Sequence, residues 1–544
     1  MAVTPQTNIR LLKTPFEIDN KNQLTFSNGN AQTNYFLSLP YIEEDNCSYQ
    51  RKDNIIRFPA HIDDILNYNY VMYKNEAYSD KWFYAYITEM KYLNNSTTEI
   101  SIETDAFQTW QFDIVYKKMF VEREHVSNDT IGMHTIPENL DIGGVIEELV
   151  TEDAVYGNSF GYFIAVASNW EINDNSTGNE ALDSSKGTQN AGISVYDNSI
   201  FGNQLFLFNI TSLSSFTDLV LFLLRTNYDG HIQDVQNMFI LPNLAISPSK
   251  LIQHSATCAG NTFNWYTLAY DMAPETFNTS INKRQSFSDY SPKNNKCFVY
   301  PYNYLFVSNN QGSNNIYKYE DFNSNNCVFE NQFSIAVGGS GRIVPKNYKG
   351  MPTNDDEALP LGKYPTCAWS SDAFTNWLTQ NSVNMIASLA LTAGGVATSI
   401  ATGGATMPII AGAITSVAGN IANTIGSFHE AHLAPNIAGG QATGDIIWSA
   451  NRNLFSFREM RVKTEYLKVI DEFFSAYGYK VNSVKIPNIT GRSNWNYVKT
   501  IEANILGDIP QEDLQTIKNM LNNGVTFWHN ASTFLDYSQN NNII

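Results

Sequence analysis

The segment His429-Glu430-Ala431-His432 is the first place in this chain to look for metal chemistry. A helical zinc site needs its two histidines four apart, so that both lie on one face, with a glutamate beside them and a third ligand elsewhere. Here the histidines are three apart and no third ligand is evident, so the segment reads as the polar end of the stretch before it. Gly338-Gly339-Ser340-Gly341-Arg342 has neither the Gly-Lys-Ser/Thr ending of a phosphate loop nor the spacing of a nucleophile elbow, and reads as a turn. Asn173 to Gly178 has the look of a calcium loop, but it carries too few carboxylates, and Ser184 stands where the closing glutamate belongs. The acidic triplet Asp355-Asp356-Glu357 has no basic or nucleophilic partner nearby and reads as a solvated loop. No nucleophile, base and orienting group come together. The expectation is a protein that is not an enzyme, with no catalytic residue, no metal and no cofactor.

If the chain does not work by bond chemistry, its most unusual element has to be physical. Between Asp372 and Glu430 there is no Asp, Glu, Lys or Arg. The stretch divides into two arms, about Asn381 to Thr402 and Met407 to Phe428, around a turn at Gly403-Gly404-Ala405-Thr406. On the first arm Ile386, Leu389, Ala393, Val396 and Ile400 recur at steps of three and four, the period of one helix face. On the second, Ile410, Ile414, Val417, Ile421, Ile425 and Phe428 form one stripe. Gly412, Gly419 and Gly426, seven apart, form another along which a second backbone can approach closely. Pro408 falls in a first turn, where it does no harm. The pattern predicts an uncharged helical hairpin.

Each arm has about the twenty helical residues that span the roughly 30 Å of a bilayer core. The arms are also rich in Gly, Ala, Ser, Thr and Asn, including Asn384, Asn420 and Asn423, and so are less apolar than a constitutive membrane span. Two states suit such arms: a hairpin buried for good in a large fold or oligomer, and one stored in an assembly and inserted later. After it, Pro435, Gly439, Gly440 and Gly444 form a return path able to act as a hinge.

Around this element lie 544 residues with a net charge of −19, only 16% charged and 13% aromatic. That balance fits a β-rich chain with extensive buried interfaces, and argues against a surface that grips nucleic acid phosphates. An acidic wall still lets DNA pass without sticking. Five cysteines, Cys47, Cys258, Cys297, Cys327 and Cys367, are scattered with no CxxC pair, so buried thiols are expected rather than a disulfide framework or zinc site. The first twenty residues have no apolar core of signal-peptide length, and assembly in a reducing cytosol is the expectation.

In chain order, YFLSLPYI, RFPA, NYVMYK and WFYAYITEMKYL with TTEISIETDAF read as short strands, the last two as a hairpin turning at Asn94-Asn95-Ser96. Strands this short must close or stack to hide their edges, so a barrel or sandwich is expected. Asn169 to Asn190 reads as a surface loop, Ser215 to Arg225 and Ile232 to Phe239 as short helices, and Cys297 to Phe306 and Cys327 to Val344 as strands. A helix is expected from Ser456 to near Gly478, strands over 479 to 506, and a helix from Gln511 to Leu521 between Pro510 and Asn522-Asn523-Gly524. The tail from Gln539 is polar and reads as mobile.

Several stretches occur in an order that resembles a known family: Ile102 to Trp110, Met119 to Val126, Ile136 to Leu140, Lys296 to Tyr302 and Asn347 to Gly350. They continue with Tyr364 to Trp369 (and Asp372, Phe374 and Trp377), Asn494 to Thr500, Gly507 to Pro510 and Asn522 to His529. The chain resembles the tail knob proteins of phi29-type short-tailed phages of Gram-positive bacteria over nearly its whole length. The resemblance implies an α+β, mainly β fold with barrel-like domains that assemble as a hexameric ring or tube at the distal end of the virion tail. It also implies that uncharged loops close the lumen until DNA ejection and then leave it to form a pore in the host membrane. With it, conditional insertion becomes the expected fate of the hairpin. Implied partners are five further copies, other tail proteins, the host membrane, and viral DNA passing without specific binding. The expected divisions are 1–150 (β-rich), 151–295 (α+β), 296–372 (β-rich), 373–447 (hairpin loop) and 448–544 (α+β). The rival class is a tail-associated hydrolase of cell wall or surface polymer, whose paired carboxylates would have to come from distant residues.

Overall fold

The computed structural model describes residues 7–50, 53–75, 79–151, 160–168, 189–196, 199–210, 235–242, 246, 251–258, 261–268, 275–334, 340–362, 366–369, 442–443, 446–448 and 455–544. Its described elements are mainly strands with few helices. They fall into two compact units, one of Met1–Val145, Gln285–Tyr302 and Val462–Ile544, the other of Ile146–Arg284 and Asn303–Arg461.

The first unit begins with a closed barrel, whose strands run in the order Thr7–Leu12, Tyr41–Gln50, Ile55–Phe58, Thr97–Thr104, Ser79–Asn94 and Tyr70–Asn75. Closure leaves no free edge. Alternation fills the interior: Ile9, Leu11, Ile56, Phe58, Ile100 and Ile102 point in. One wall is buried on both faces, because Val71, Tyr73 and Ala85 join the barrel core while Tyr70, Met72, Tyr84 and Tyr86 join a second cluster with Phe36, Trp495 and Trp528.

That second cluster ties the barrel to a five-stranded sheet in the order Asn22–Leu24, Val525–Trp528, Trp495–Ile501, Met119–Glu124 and Tyr479–Lys485. The helix Thr464–Tyr477 buries Leu467, Ile470, Asp471 and Phe474, one face of a 3.6-residue period, and stops at Gly478. The helix Gln511–Asn523 buries Ile517, Met520 and Leu521 and stops at Gly524.

Among the described residues, the second unit holds three sheets. Four strands run Val145–Thr151, Ser456–Val462, Asn303–Ser308, Asn314–Tyr317, and five more are built on Asn326–Phe333, whose alternate residues Cys327, Phe329 and Phe333 enter the core. A nine-stranded sheet contains Phe160–Ser168, Ser199–Ile210, Val235–Pro242 and the short strands Thr366–Trp369 and Ile446–Trp448.

Several expectations are corrected. The helix expected over Ile232 to Phe239 is the strand Val235–Pro242, antiparallel to Phe160–Ser168; an apolar run this short carries no decisive period, and sheet pairing decides it. The helix expected from Ser456 starts only at Thr464, since Ser456–Val462 alternates in burial and pairs with Asn303–Ser308. In YFLSLPYI, residues 35–38 end the helix Gly29–Ser38, nucleated when Asn28 Oδ1 accepts from Ala31 N–H at 2.9 Å and ended before Pro40. Cys297 and Phe298 lie in a 3₁₀ turn, and the strand spans only Asn303–Ser308. The acidic triplet has basic partners: Arg342 pairs with Asp355 at 3.2 Å and Lys349 with Glu357. The C-terminal tail is pinned, with Ser493 N–H donating to Asn542 carbonyl at 2.9 Å and Ile544 N–H to Gly491 carbonyl at 3.1 Å. The helix expected over 215–225 lies outside the described residues, as does the loop expected over 169–190 except for Gln189 and Asn190, which open the strand Gln189–Tyr196.

Candidate functional site

The residues expected to enter a membrane, Ile386, Leu389, Val396, Ile400, Ile410, Ile414, Val417, Ile421, Ile425 and Phe428, lie outside the described residues. So do the glycines Gly412, Gly419 and Gly426, the hinge Gly439, Gly440 and Gly444, and His429 and His432. What the structure does describe is where this stretch leaves and returns. Thr366–Trp369 and Ile446–Trp448 are antiparallel neighbours, with Cys367 opposite Trp448 and Trp369 opposite Ile446. The chain therefore leaves this sheet after Trp369 and is back on it by Ala442–Thr443, which pair with Ile446–Trp448.

The quoted stretches from 102 to 140, Lys296 to Tyr302 and 494 to 529 all fall in the first unit, where they build a buried polar framework. Glu138, wholly buried, accepts from Lys296 Nζ and from Arg123 Nη2 and takes the Lys480 N–H at 2.9 Å. Arg123 also donates to the Gly478 carbonyl at 2.7 Å, and its guanidinium lies over the Phe473 ring. Burial pulls Lys296 below the usual lysine range, against the pull of Glu138. Glu124 receives Lys485 Nζ and the Asn488 N–H at 2.8 Å. Asp471, on the buried face of its helix, accepts from Tyr290 Oη at 2.7 Å and from the N–H groups of Lys293 and Asn294 at 2.8 and 3.0 Å.

Two histidines are held neutral. His125 takes the Tyr497 N–H on Nδ1 at 2.7 Å, which leaves Nε2 to donate to the Ser475 carbonyl at 3.1 Å. Burial, with Arg492 nearby, lowers its pKa to about 3. His529 bridges Thr25 Oγ1 at 2.8 Å and Asn496 Oδ1 at 3.0 Å, and burial lowers it to about 4. Asp105 caps the helix Ala106–Trp110 through the Gln108 N–H at 3.0 Å and accepts from Tyr70 Oη at 2.9 Å, with burial raising its pKa. Cys47, Cys297 and Cys327 are buried free thiols, each pushed up first by burial. Each carboxylate of this framework is tied to cations or to fixed N–H and O–H donors, an arrangement that holds elements together and leaves no activated nucleophile. Among the described residues, no group of three His, Cys, Asp or Glu is placed to hold a metal, and no helix is long and apolar enough to cross a membrane.

Of these residues, Glu138 and Lys296 lie in stretches quoted for the resemblance, but nothing in the sequence paired them across 158 positions. Glu124 was hidden for a different reason. Strict alternation from Met119 and Val121 would turn Arg123 inward, and the register shifts between Val121 and Arg123 against both neighbouring strands turn Glu124 in instead.

The described residues thus give a closed barrel, a mainly β architecture and a buried polar framework that ties elements together. Comparison places the chain among phage tail proteins. Residues 5–117 match the family model described as Caudoviral major tail protein N-terminus, and the fold resembles the structure of the bacteriophage C1 tail knob protein, gp12, with a TM-score of 0.62 at 14% identity, covering 99% of this chain and 100% of that one. Residues 264–542, more than half of the chain, match the model for the C-terminal domain of the Bacillus phage phi29 tail knob protein gp9, and the chain belongs to that tail knob family. It is 25% identical to the tail knob protein gp9 of Bacillus phage B103 over the full length of both, and 24% identical to that of phi29, covering 97% of this chain and 98% of the relative.

Proposed function

We propose that this tail knob protein is a structural, non-enzymatic part of the distal virion tail. In this reading six copies form a ring or tube through which DNA is ejected, after assembly with other tail proteins in the host cytoplasm. The 373–447 loop, uncharged from 373 to 429, closes the lumen, then leaves it and enters the host membrane as a helical hairpin. Ile386, Leu389, Val396, Ile400, Ile410, Ile414, Val417, Ile421, Ile425 and Phe428 meet lipid. Gly412, Gly419 and Gly426 let arms pack, and Gly439, Gly440 and Gly444 let the loop swing. The observation that carries this reading is the pairing of Thr366–Trp369 with Ile446–Trp448, which fits a loop anchored at both ends on one sheet and free to move as one body. Ring formation is supported by an apolar row on the first unit: Val484 and Ile501 lie on the strands either side of Phe120 and in register with it, at 68%, 51% and 36% exposure. A row of this kind asks for another surface, and in a ring that surface is the next copy. The residues 1–150, 151–295, 296–372 and 448–544 supply the body around the loop.

Dye release from liposomes tests the loop directly, comparing the wild type with Val417→Asp and with a deletion of 381–428. A charge at the centre of an inserted arm costs roughly 2.5–3.5 kcal/mol, repeated in every subunit, so both variants should lose release while still assembling. A deletion that assembles, infects and releases dye as the wild type does would sink the proposal. Incubation with host cell walls should liberate no sugar or peptide; liberation would favour the hydrolase.

A further inference from the structure

The pinned C-terminal residues form one wall of a cavity of about 630 Å³ in the first unit, completed by the turn at Asn128–Thr130, by Lys293–Asn295 and by Arg492. Its size falls within the roughly 300–1,000 Å³ usual for small-molecule sites. Its lining is mostly carboxamide, hydroxyl and charge, which does not suit an apolar ligand.

The charges are unbalanced. Arg492 is 8% exposed, and its two Nη atoms donate only to backbone carbonyls, of Asn541 at 3.2 Å and Val126 at 3.1 Å. Its Nε is withdrawn from solvent with no hydrogen-bond partner among the described residues. Lys293, exposed at the rim, adds a second cation, and among the described residues neither makes an ion pair. The one carboxylate on the lining, Asp129, is already engaged by the Asn295 N–H at 3.0 Å and the Tyr479 hydroxyl at 2.7 Å. His125 is neutral, with both ring nitrogens in use. The cavity is thus locally positive in a chain of net charge −19. The only counter-charge on the lining is Asp129, which acts on Arg492 without forming an ion pair; a guanidinium kept from water on so little compensation is costly, and a planar oxyanion is the group that its N–H fork matches. The carboxamides of Asn128 and Asn540 on the same lining suit neutral hydroxyls.

We propose that this cavity binds an oxyanion, phosphate or carboxylate, carried on a small polyhydroxyl body. Arg492 and Lys293 hold the oxyanion, and the carboxamides hold the hydroxyls. This stands independently of the membrane role of the loop.

Calorimetric titration of the full chain tests it with glycerol 3-phosphate, glucuronate, inorganic phosphate and neutral methyl α-glucoside. The two charged polyols should bind, and more weakly as sodium chloride rises from about 50 to about 300 mM. Inorganic phosphate should bind several-fold less tightly and the neutral glycoside not at all. Lys293→Ala, at an exposed position, should weaken binding by roughly threefold and Lys293→Glu by more. Arg492→Gln should weaken it by at least about tenfold, with circular dichroism checking that the tail stays docked. Absence of heat with both charged polyols, binding of the neutral glycoside as tight as theirs, or an unchanged affinity in Lys293→Glu each overturns the proposal. Inorganic phosphate binding as tightly as glycerol 3-phosphate would overturn its polyol half.

Discussion

Glu138 sits between two cations, and its replacement separates their roles. Glu138→Gln leaves Lys296 and Arg123 facing each other without a counter-charge, in a place where Lys296 already suffers from burial. Removing one member of a buried ionic group costs about 3–5 kcal/mol, so the urea midpoint should fall well below that of the wild type while Lys349→Ala, in an exposed pair, shifts it little. A pH dependence follows from His125. Its ordinary pKa of 6.5 falls to about 3 on folding, so between those values the unfolded chain binds a proton that the folded one refuses. Stability therefore rises with pH through this window and is lost as pH falls from about 6.5 towards 3, at up to about 1.4 kcal/mol per pH unit. His529, lowered to about 4, acts in the same direction over a narrower span. Denaturation curves at several pH values should be shallower in pH dependence for His125→Gln than for the wild type. Equal slopes would mean that His125 is not held neutral.

At the scale of elements, the helix Thr464–Tyr477 turns into the strand Tyr479–Lys485 through Gly478, whose φ of 64° and ψ of −153° belong to a region that only glycine enters readily. A Cβ there would lie 2.2 Å from the Glu124 carbonyl oxygen, so backbone rather than a yielding side chain stands in its way. Gly478→Ala should cost more than about 3 kcal/mol, whereas Gly350→Ala, with φ of 79° but open space around it, should cost about 1 kcal/mol, the strain alone; thermal melts of the two compare them. That helix stop was legible in the sequence, as were the Gln511–Asn523 helix and the hairpin of Ser79–Asn94 with Thr97–Thr104, because Gly, Pro and Asn punctuate them locally. The start of the first was not. Phe457 and Met460 are three apart, as on one helix face, while Met460 and Val462 are two apart, as on one strand face, and only pairing with Asn303–Ser308, about 150 residues away, decides for a strand. Likewise the framework around Glu138 and the cavity at Arg492 depend on contacts between residues hundreds of positions apart, which no local pattern encodes.

For the whole molecule the deciding quantities are charge and exposed apolar area. A ring of six such chains multiplies a charge of −19, and the lumen should be acidic or neutral, so that DNA slides and is not held. The assembled protein should leave double-stranded DNA unretarded in gels even at about 50 mM salt; retention that weakens steeply with salt would reveal a ring of Lys and Arg and overturn that reading. Assembly itself rests on the row Val484, Phe120 and Ile501 in this account. Native mass measurement at micromolar concentration should find a sixfold multiple of the 61.1 kDa chain. Val484→Asp should shift it towards monomer without lowering the melting temperature of the monomeric fraction, because Val484 is 68% exposed and contributes little to its own unit's core. A wild type that remains monomeric would remove the ring, and with it the tube. A Val484→Asp ring as stable as the wild type would leave the ring standing but move its interface to another surface.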